Sequence, residues 1–572
     1  MRVPLIELGL AIKPDWITES SASFRPPSWP PPRDWPVSID RDGTALSRWG
    51  DAIWDLSPQA GKPFNLNFGD GGNGQRSFLD SGNADLLRIL VTWRMWGHRA
   101  VRSASALRAF YDMARAVVHL CSRNGILASD LMRFPKVVEQ VPGVTQATRR
   151  LSDINEFHGL YAARAAIGFV VLDPTALKRW AALPSTHERV QTPYIPPRIW
   201  TYQVNRLREC LDQFLAHRKQ IEDCFNFCID AYVANYGSLQ TAVTMGKDGG
   251  RGPFELHRRR TGCIYLGEFA ETARRFGVEG LLTTWAPNRS GRLNPQVMST
   301  YMNIVVYAGL AYIANFTLQR KEEVAALRAS CLIWEDDKKL GRVPIIRGET
   351  TKTIQESDAR WVASPSVAVA VEVLTIIAHL RMRCDEASPV TAPTALDRSD
   401  PYLGSLASEP WGVRTLRRYD IRPPVRCFVE TMKIYPKLFD MDEMRISEAD
   451  LKIARKLTPN LPEEEFAIGK VWPLAWHQYR RTSAVNMFSS GLISDSSMQQ
   501  QMKHSSRLMP LYYARGYTRL RLNENVESAV VTAMYQALAR QIKDAMSERF
   551  VSPHSAQRKE QAVVNILKGK DG

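Results

Sequence analysis

The chain has 572 residues, too many for a single hydrophobic core, and its 44% hydrophobic and 23% charged residues are ordinary for globular protein. Its charge is not ordinary: 75 Lys and Arg against 59 Asp and Glu give a formal net charge of +16, which points to a polyanionic partner. A bilayer fits that role poorly, because the longest apolar run, Ile304 to Phe316, is only about 13 residues, and Glu7 interrupts the apolar start MRVPLIELGLAI.

Taken in order, residues 1–85 read as an irregular Pro/Gly-rich N-terminal extension. Arg25 to Pro36 (RPPSWPPPRDWP) is proline-dense and carries two tryptophans, so it should be extended and lie against another surface. Phe68 to Gln75 (FGDGGNGQ) lacks the Gly-Lys-Ser/Thr ending of a phosphate-binding loop and reads as a turn or linker. Residues 86–240 turn helical. Thr92 to Ile126 alternates apolar helical faces with Arg94, Arg99, Arg102, Arg108 and Arg115; Ser103 and Ser105 are candidate caps and Gly125 a stop. A second helical pair spans about Tyr202 to Tyr236. Such basic, aromatic-spaced helices form either a phosphate-contacting face or a solvated arginine face on a structural bundle. Residues 241–286 form a basic linker in which Lys247 to Arg260 ends in Arg258, Arg259 and Arg260, further candidates for DNA contact.

A second unit is expected over 287–545. Val297 to Ala329 reads as two helices, and Cys331 to Val362 is β-patterned, with Arg347 to Ile354 a hairpin tip carrying Lys352. Ser366 to Arg383 is an amphipathic helix. Residues 384–469 are proline-rich without a clear period, although Val425 to Leu438 has helical character. Asn525 to Ala545 is a strong helical segment, and 546–572 a basic tail. The expected fold class is therefore mainly α with a small antiparallel β-sheet, an α+β chain. Eight scattered cysteines suit a reduced, intracellular protein. Cys224 and Cys228 at i, i+4, followed by His257 and Cys263, fit no structural zinc spacing, so neither metal nor other cofactor is expected.

Chemistry concentrates in Trp476 to Tyr517. His477 and Arg480 stand at i, i+3, a spacing that on a helix lets two cationic side chains grip one anion. His504 sits in a polar turn, Lys-His-Ser-Ser, and Tyr512 and Tyr513 follow. A cationic cradle beside a tyrosine is what phosphoryl transfer through a covalent tyrosine intermediate requires. Upstream, Arg320 and Glu323 form another i, i+3 pair, with Val324 and Leu327 as core positions.

With Arg320, Lys352, His477, Arg480, His504 and Tyr513 in that order, the chain resembles the tyrosine recombinases of the phage-integrase family over roughly Pro287 to Ala545. The Arg-x-x-Glu helix is matched by RKEEVAALRASCLIWED, the lysine hairpin by GETTKT, His-x-x-Arg by HQYR and Gly-His-Ser-Ser by KHSS. The family's nucleophile lies nine residues after the second histidine, which selects Tyr513 over Tyr512. Two departures stand out: Lys503 replaces the glycine before that histidine, and the long gap from Lys352 to His477 implies an insertion at about 384–469.

The resemblance implies a helical core-binding domain (86–240) and a tyrosine-recombinase catalytic domain that cuts and rejoins DNA without metal or ATP. Tyr513 would form a 3′-phosphotyrosine and Arg320 and Arg480 would meet the phosphate charge. His477 and His504 would assist by hydrogen bonding or proton transfer, Lys352 would protonate the leaving 5′-oxygen, and Glu323 would orient Arg320. The implied role is integration, excision or transposition of a mobile element, with double-stranded DNA at specific sites, a homo-tetramer on that DNA, and accessory DNA-bending or element-encoded proteins as the implied partners, in a bacterial cytoplasm. The C-terminal helix, Asn525 to Ala545, would dock on a neighbouring protomer or on its own domain. Type IB topoisomerases and telomere resolvases share the chemistry, and a decayed DNA-binding architectural protein would share the scaffold.

Overall fold

The computed structural model describes residues 26–504 apart from 27, 41–42, 72–77, 99, 102, 185–190, 256–261, 288–290, 338–340, 351–355, 413–416 and 490–492. Among these residues the chain is mainly helical with three small antiparallel sheets. It divides into two compact units, one of Met1–Val190 with Leu416–Pro424, the other of Gln191–Thr415 with Val425–Gly572.

The first unit corrects the reading of residues 1–85 as irregular. Strands β1 (Pro36–Ile39) and β2 (Ala45–Arg48) pair antiparallel, as do β3 (Ile53–Asp55) and β4 (Asn65–Asn67). These strands are three or four residues long, too short for alternation to show in the sequence. The proline-rich strap does lie on a surface: Trp29 and Trp35 are buried, edge-on to Trp93 and Trp96 at 6.1 and 5.3 Å. That surface is α1 (Ser81–Trp96), which packs with α2 (Ala104–Arg123). Ser103 caps α2 by accepting from the Ala106 N–H, and Gly125 follows its end at φ 65°. Inside, Arg88 is fully buried and held by Asp70 and Asp85 at 2.6 and 2.7 Å, so its charge is matched before it is desolvated. Helices α3 (Arg150–Ala162) and α4 (Pro174–Ala182) complete this core.

The second unit begins earlier than expected. Helices α5 (Pro197–Ala216) and α6 (Arg218–Tyr236) belong to it rather than to a helical domain ending near 240. Helical periodicity reveals that a face is buried, not against which partner, and here the partner is α7 (Pro295–Thr317). Trp200 and Gln203 of α5 both donate to the Asn315 side chain of α7 at 3.0 Å. The segment just before α5 is pinned to the far end of the unit, with the Ile195 N–H donating to Thr482 and the Tyr194 hydroxyl to Asn486. Helix α7 is apolar on nearly every side because it is the core; it is long and apolar enough to cross a bilayer, but 89% of its most apolar window is buried.

After α7 come the short helix α8 (Lys321–Ala325) and a three-stranded antiparallel sheet, β5 (Leu332–Asp337), β6 (Gly341–Thr350) and β7 (Glu356–Val362), in that spatial order. Strand β6 runs to Thr350, so the hairpin tip is narrower than the expected 347–354, and Lys352 itself lies outside the described residues. Helix α9 (Val367–Ala387) packs against α7.

Apart from Leu416–Pro424, which belongs to the first unit, the region 384–469 shares the same core. It contains α10 (Phe428–Ile434) and α11 (Glu448–Leu457), and its Leu403, Trp411, Phe428, Leu438 and Leu451 are buried with α7 and α9. Its tie is Arg381 of α9, wholly buried with Glu409 at 2.9 Å and with donors to Ser405, Ser299 and Asn303. Glu409→Ala strands that guanidinium without a counter-charge and is expected to destabilise this unit by about 3–5 kcal/mol, read as a lower urea midpoint. A midpoint unchanged from the parent would refute the assignment. Helices α12 (Trp476–Ser489) and α13 (Asp495–Gln501) close the described chain.

Candidate active site

Three separate segments deliver polar side chains to one place, beside a small apolar cluster of Leu318, Ala484, Phe488, Met498 and Met502. The first is the end of α7. Leu318 takes a left-handed conformation, φ 59°, which stops the helix and turns the chain into Arg320, the residue just before α8. Glu323, three residues on, reaches back with both oxygens. One accepts the Arg320 backbone N–H at 2.6 Å; the other accepts its guanidinium at 2.8 Å and the Thr350 hydroxyl of β6 at 2.7 Å. All three residues are buried. The expected pair is therefore present, but as a helix-entry brace rather than as two neighbours on a helix surface.

The second segment is α12, anchored to α7 by the Ser483 hydroxyl donating to Asn315 O at 2.6 Å. Arg480 is 1% exposed. Its guanidinium donates to the carbonyls of Leu318 and Met502 and, at 2.9 Å, to His504 Nε2. Those two carbonyls close α7 and α13, where helices leave acceptors unpaired and carry partial negative charge, so one cation caps two helices. His477, expected on the same face as Arg480, is exposed while Arg480 is buried.

The third segment is the turn after α13. The Lys503 N–H donates to Gln500 O at 3.1 Å and the His504 N–H to Gln499 O at 3.0 Å, the double bond pattern that ends a helix through a left-handed residue. That residue is Lys503, φ 51°. Glycine is the usual occupant, and a side chain there costs about 1–2 kcal/mol. Lys503 thus makes the turn that glycine ordinarily makes. Gln499 also donates to His504 O at 3.1 Å, so the histidine backbone is held from both sides.

His504 is 2% exposed, and its pKa falls from the ordinary histidine range to about 3 through burial, then the charges of Arg480 and Arg320. Arginine only donates, so Nε2 must accept; the ring is then neutral with its proton on Nδ1. The ring itself is expected not to titrate between pH 5 and 8. Stability carries the opposite signature. Between about 3 and the unfolded value near 6.5, the unfolded chain binds a proton the native ring refuses, so the fold weakens as pH falls through that window. His504→Gln should flatten this dependence in urea titrations at pH 4 to 7; an unaltered slope would overturn the neutral-ring assignment.

Arg320, Glu323, Arg480 and His504 are thus brought together, and His477 is exposed at the start of α12. Lys352, Tyr512, Tyr513 and the helical segment Asn525 to Ala545 lie outside the described residues. Arg99, Arg102, Arg258, Arg259 and Arg260 also lie outside them. Arg94 and Arg108, read as DNA contacts, are engaged within the first unit. Arg94 pairs with Glu156 at 2.8 Å over the Phe110 ring, and Arg108 donates to Asn65 O and lies over Phe64. Cys224 and Cys228 are buried in α6, and no group of three His, Cys, Asp or Glu able to hold a metal occurs among the described residues. Sequence reasoning missed Leu318, Thr350, Gln499 and Gln501. No local signal marks them, because their roles depend on carbonyl and hydroxyl positions set by the tertiary fold. Neither the scan of protein-family models nor the search of curated proteins finds a match to this chain.

Proposed function

We propose that this chain is a site-specific DNA recombinase or integrase that cuts and rejoins DNA through a 3′-phosphotyrosine intermediate. The observation that carries the reading is the meeting of Arg480 with His504 at 2.9 Å, beside the braced Arg320, from segments up to 184 residues apart (504 − 320). In the reaction, the Tyr513 oxygen forms a bond to phosphorus as the bond from phosphorus to the 5′-oxygen breaks. The tyrosine proton leaves to a base and the 5′-oxygen takes one from Lys352, so the phosphodiester energy is conserved and no nucleotide is consumed. Charge grows on the non-bridging oxygens, where forked guanidinium donors from Arg320 and Arg480 stabilise it. His504, as the Nδ1–H tautomer, is suited to donate to one of those oxygens. The net charge of +16 suits a DNA partner, and specific duplex sites bound by a tetramer complete the proposal.

One observation favours a second reading, a DNA-binding protein that keeps the scaffold without the chemistry. Arg480 is buried and committed to two carbonyls and a histidine, a role a purely structural arginine also fills. A single assay separates the two. Nicked duplexes tiled across the DNA flanking the chain's own coding sequence are incubated with the protein and resolved under denaturing conditions. A covalent protein–DNA adduct is expected; its absence from every tile rejects the enzymatic reading. Exchange between two labelled duplexes then distinguishes recombination from topoisomerase-like relaxation.

A further inference from the structure

The side chain of Lys503 stands where glycine would relieve the backbone, yet it is buried rather than solvated. Its ammonium lies 3.6 Å from the Glu356 carboxylate and 5.4 Å from the centre of the Trp361 ring, an ion pair joined to a cation–π contact. Both partners belong to β7. Two residues earlier, Gln501 grips the other end of that strand, accepting from the Val362 N–H at 3.2 Å and donating to Val362 O at 2.8 Å; it also donates to Thr317 O at 3.1 Å. The last turn of α13 is therefore fastened to β7 at both ends of the strand, and the residue next to Lys503 is His504, in contact with Arg480.

We propose that Lys503 is a positioning residue, whose ammonium, held by Glu356 and Trp361, fastens the α13 turn to β7 and so fixes the His504 imidazole against Arg480. This rests on the recombinase reading for its catalytic consequence, though not for its structural one. A glycine would make the same turn with less strain but has no side chain to reach β7. The cation's reach to β7 does what glycine cannot. It ties the histidine to the same sheet whose Thr350 braces Glu323, and hence Arg320.

Two readouts test this. On the nicked duplexes described above, Lys503→Gly is expected to melt no lower than the parent while forming adduct about ten- to a hundred-fold more slowly at unchanged DNA affinity. Lys503→Arg should recover most of that loss, and Glu356→Gln, which leaves the left-handed turn untouched, should reproduce part of it. Independently of DNA, the His504 ring signal of histidine-labelled protein, assigned with His504→Gln, should not titrate between pH 5 and 8 in the parent. In Lys503→Gly it should titrate closer to the ordinary histidine value as the ring leaves Arg480. If Lys503→Gly cleaves like the parent and its ring signal is unchanged, the proposal is overturned. If the parent forms no adduct on any tile, the recombinase reading fails instead, and the ring signal alone decides whether Lys503 positions His504.

Discussion

Tyr513→Phe is expected to form no covalent adduct on a nicked duplex while binding that duplex as tightly as the parent. The substitution removes the one oxygen that the proposed mechanism makes the nucleophile and, on rejoining, the leaving atom of the phosphotyrosine. On that mechanism the loss should be complete within detection rather than partial. Tyr512→Phe is the internal control: it keeps the aromatic ring and should retain adduct formation. The reverse pattern would move the nucleophile to Tyr512, and persistence of adduct in the double variant would eliminate the tyrosine mechanism.

The second large effect falls on Arg480. Arg480→Lys keeps the charge but loses the planar fork that reaches Leu318 O, Met502 O and His504 Nε2 together. Arginines that stabilise transferring phosphoryl groups contribute roughly 10³–10⁵ in rate, and a loss of at least ~10³ in single-turnover cleavage is expected here. Arg480→Ala should also lower the unfolding midpoint, since each buried carbonyl left without a donor costs about 1–3 kcal/mol. Cleavage by Arg480→Lys within ten-fold of the parent would mean that the guanidinium serves the fold and not the phosphate.

How much of this was legible in the residues depends on the range of the interaction. The Arg320–Glu323 pair is local and was readable from its i, i+3 spacing. Its geometry was not, because the spacing does not reveal that Leu318 ends α7 two residues before Arg320 and makes it a helix-entry residue. The β6–β7 hairpin was readable from a β-patterned run, while strands of three or four residues such as β3 and β4 left no period to detect. The meeting of Arg480 with His504 lies beyond any periodicity; only the ordered resemblance set them together. His477 and Arg480 keep their i, i+3 spacing on α12, the first exposed and the second buried, a difference in depth that spacing alone does not give. The arginines of α1 and α2 show another. A charge beside aromatic residues reads as a surface face, but Arg94 and Arg108 turn their guanidiniums onto Phe110 and Phe64. Unit boundaries were misplaced for a related reason, because α5 and α6 look like any amphipathic pair until they are seen to share a core with α7.

That placement of α7 has a practical consequence for dissecting the protein. A fragment cut at residue 287, where the sequence pattern invites it, would begin just upstream of an apolar 23-residue helix stripped of α5 and α6. Such a fragment should aggregate on expression, whereas one beginning at residue 191 retains Tyr194, Ile195, Trp200 and Gln203 and their bonds to α7 and α12 and should remain monodisperse in size-exclusion chromatography. The place to cut a chain is decided by which helices share a core, and in this one the first hundred residues of the second unit cannot be spared.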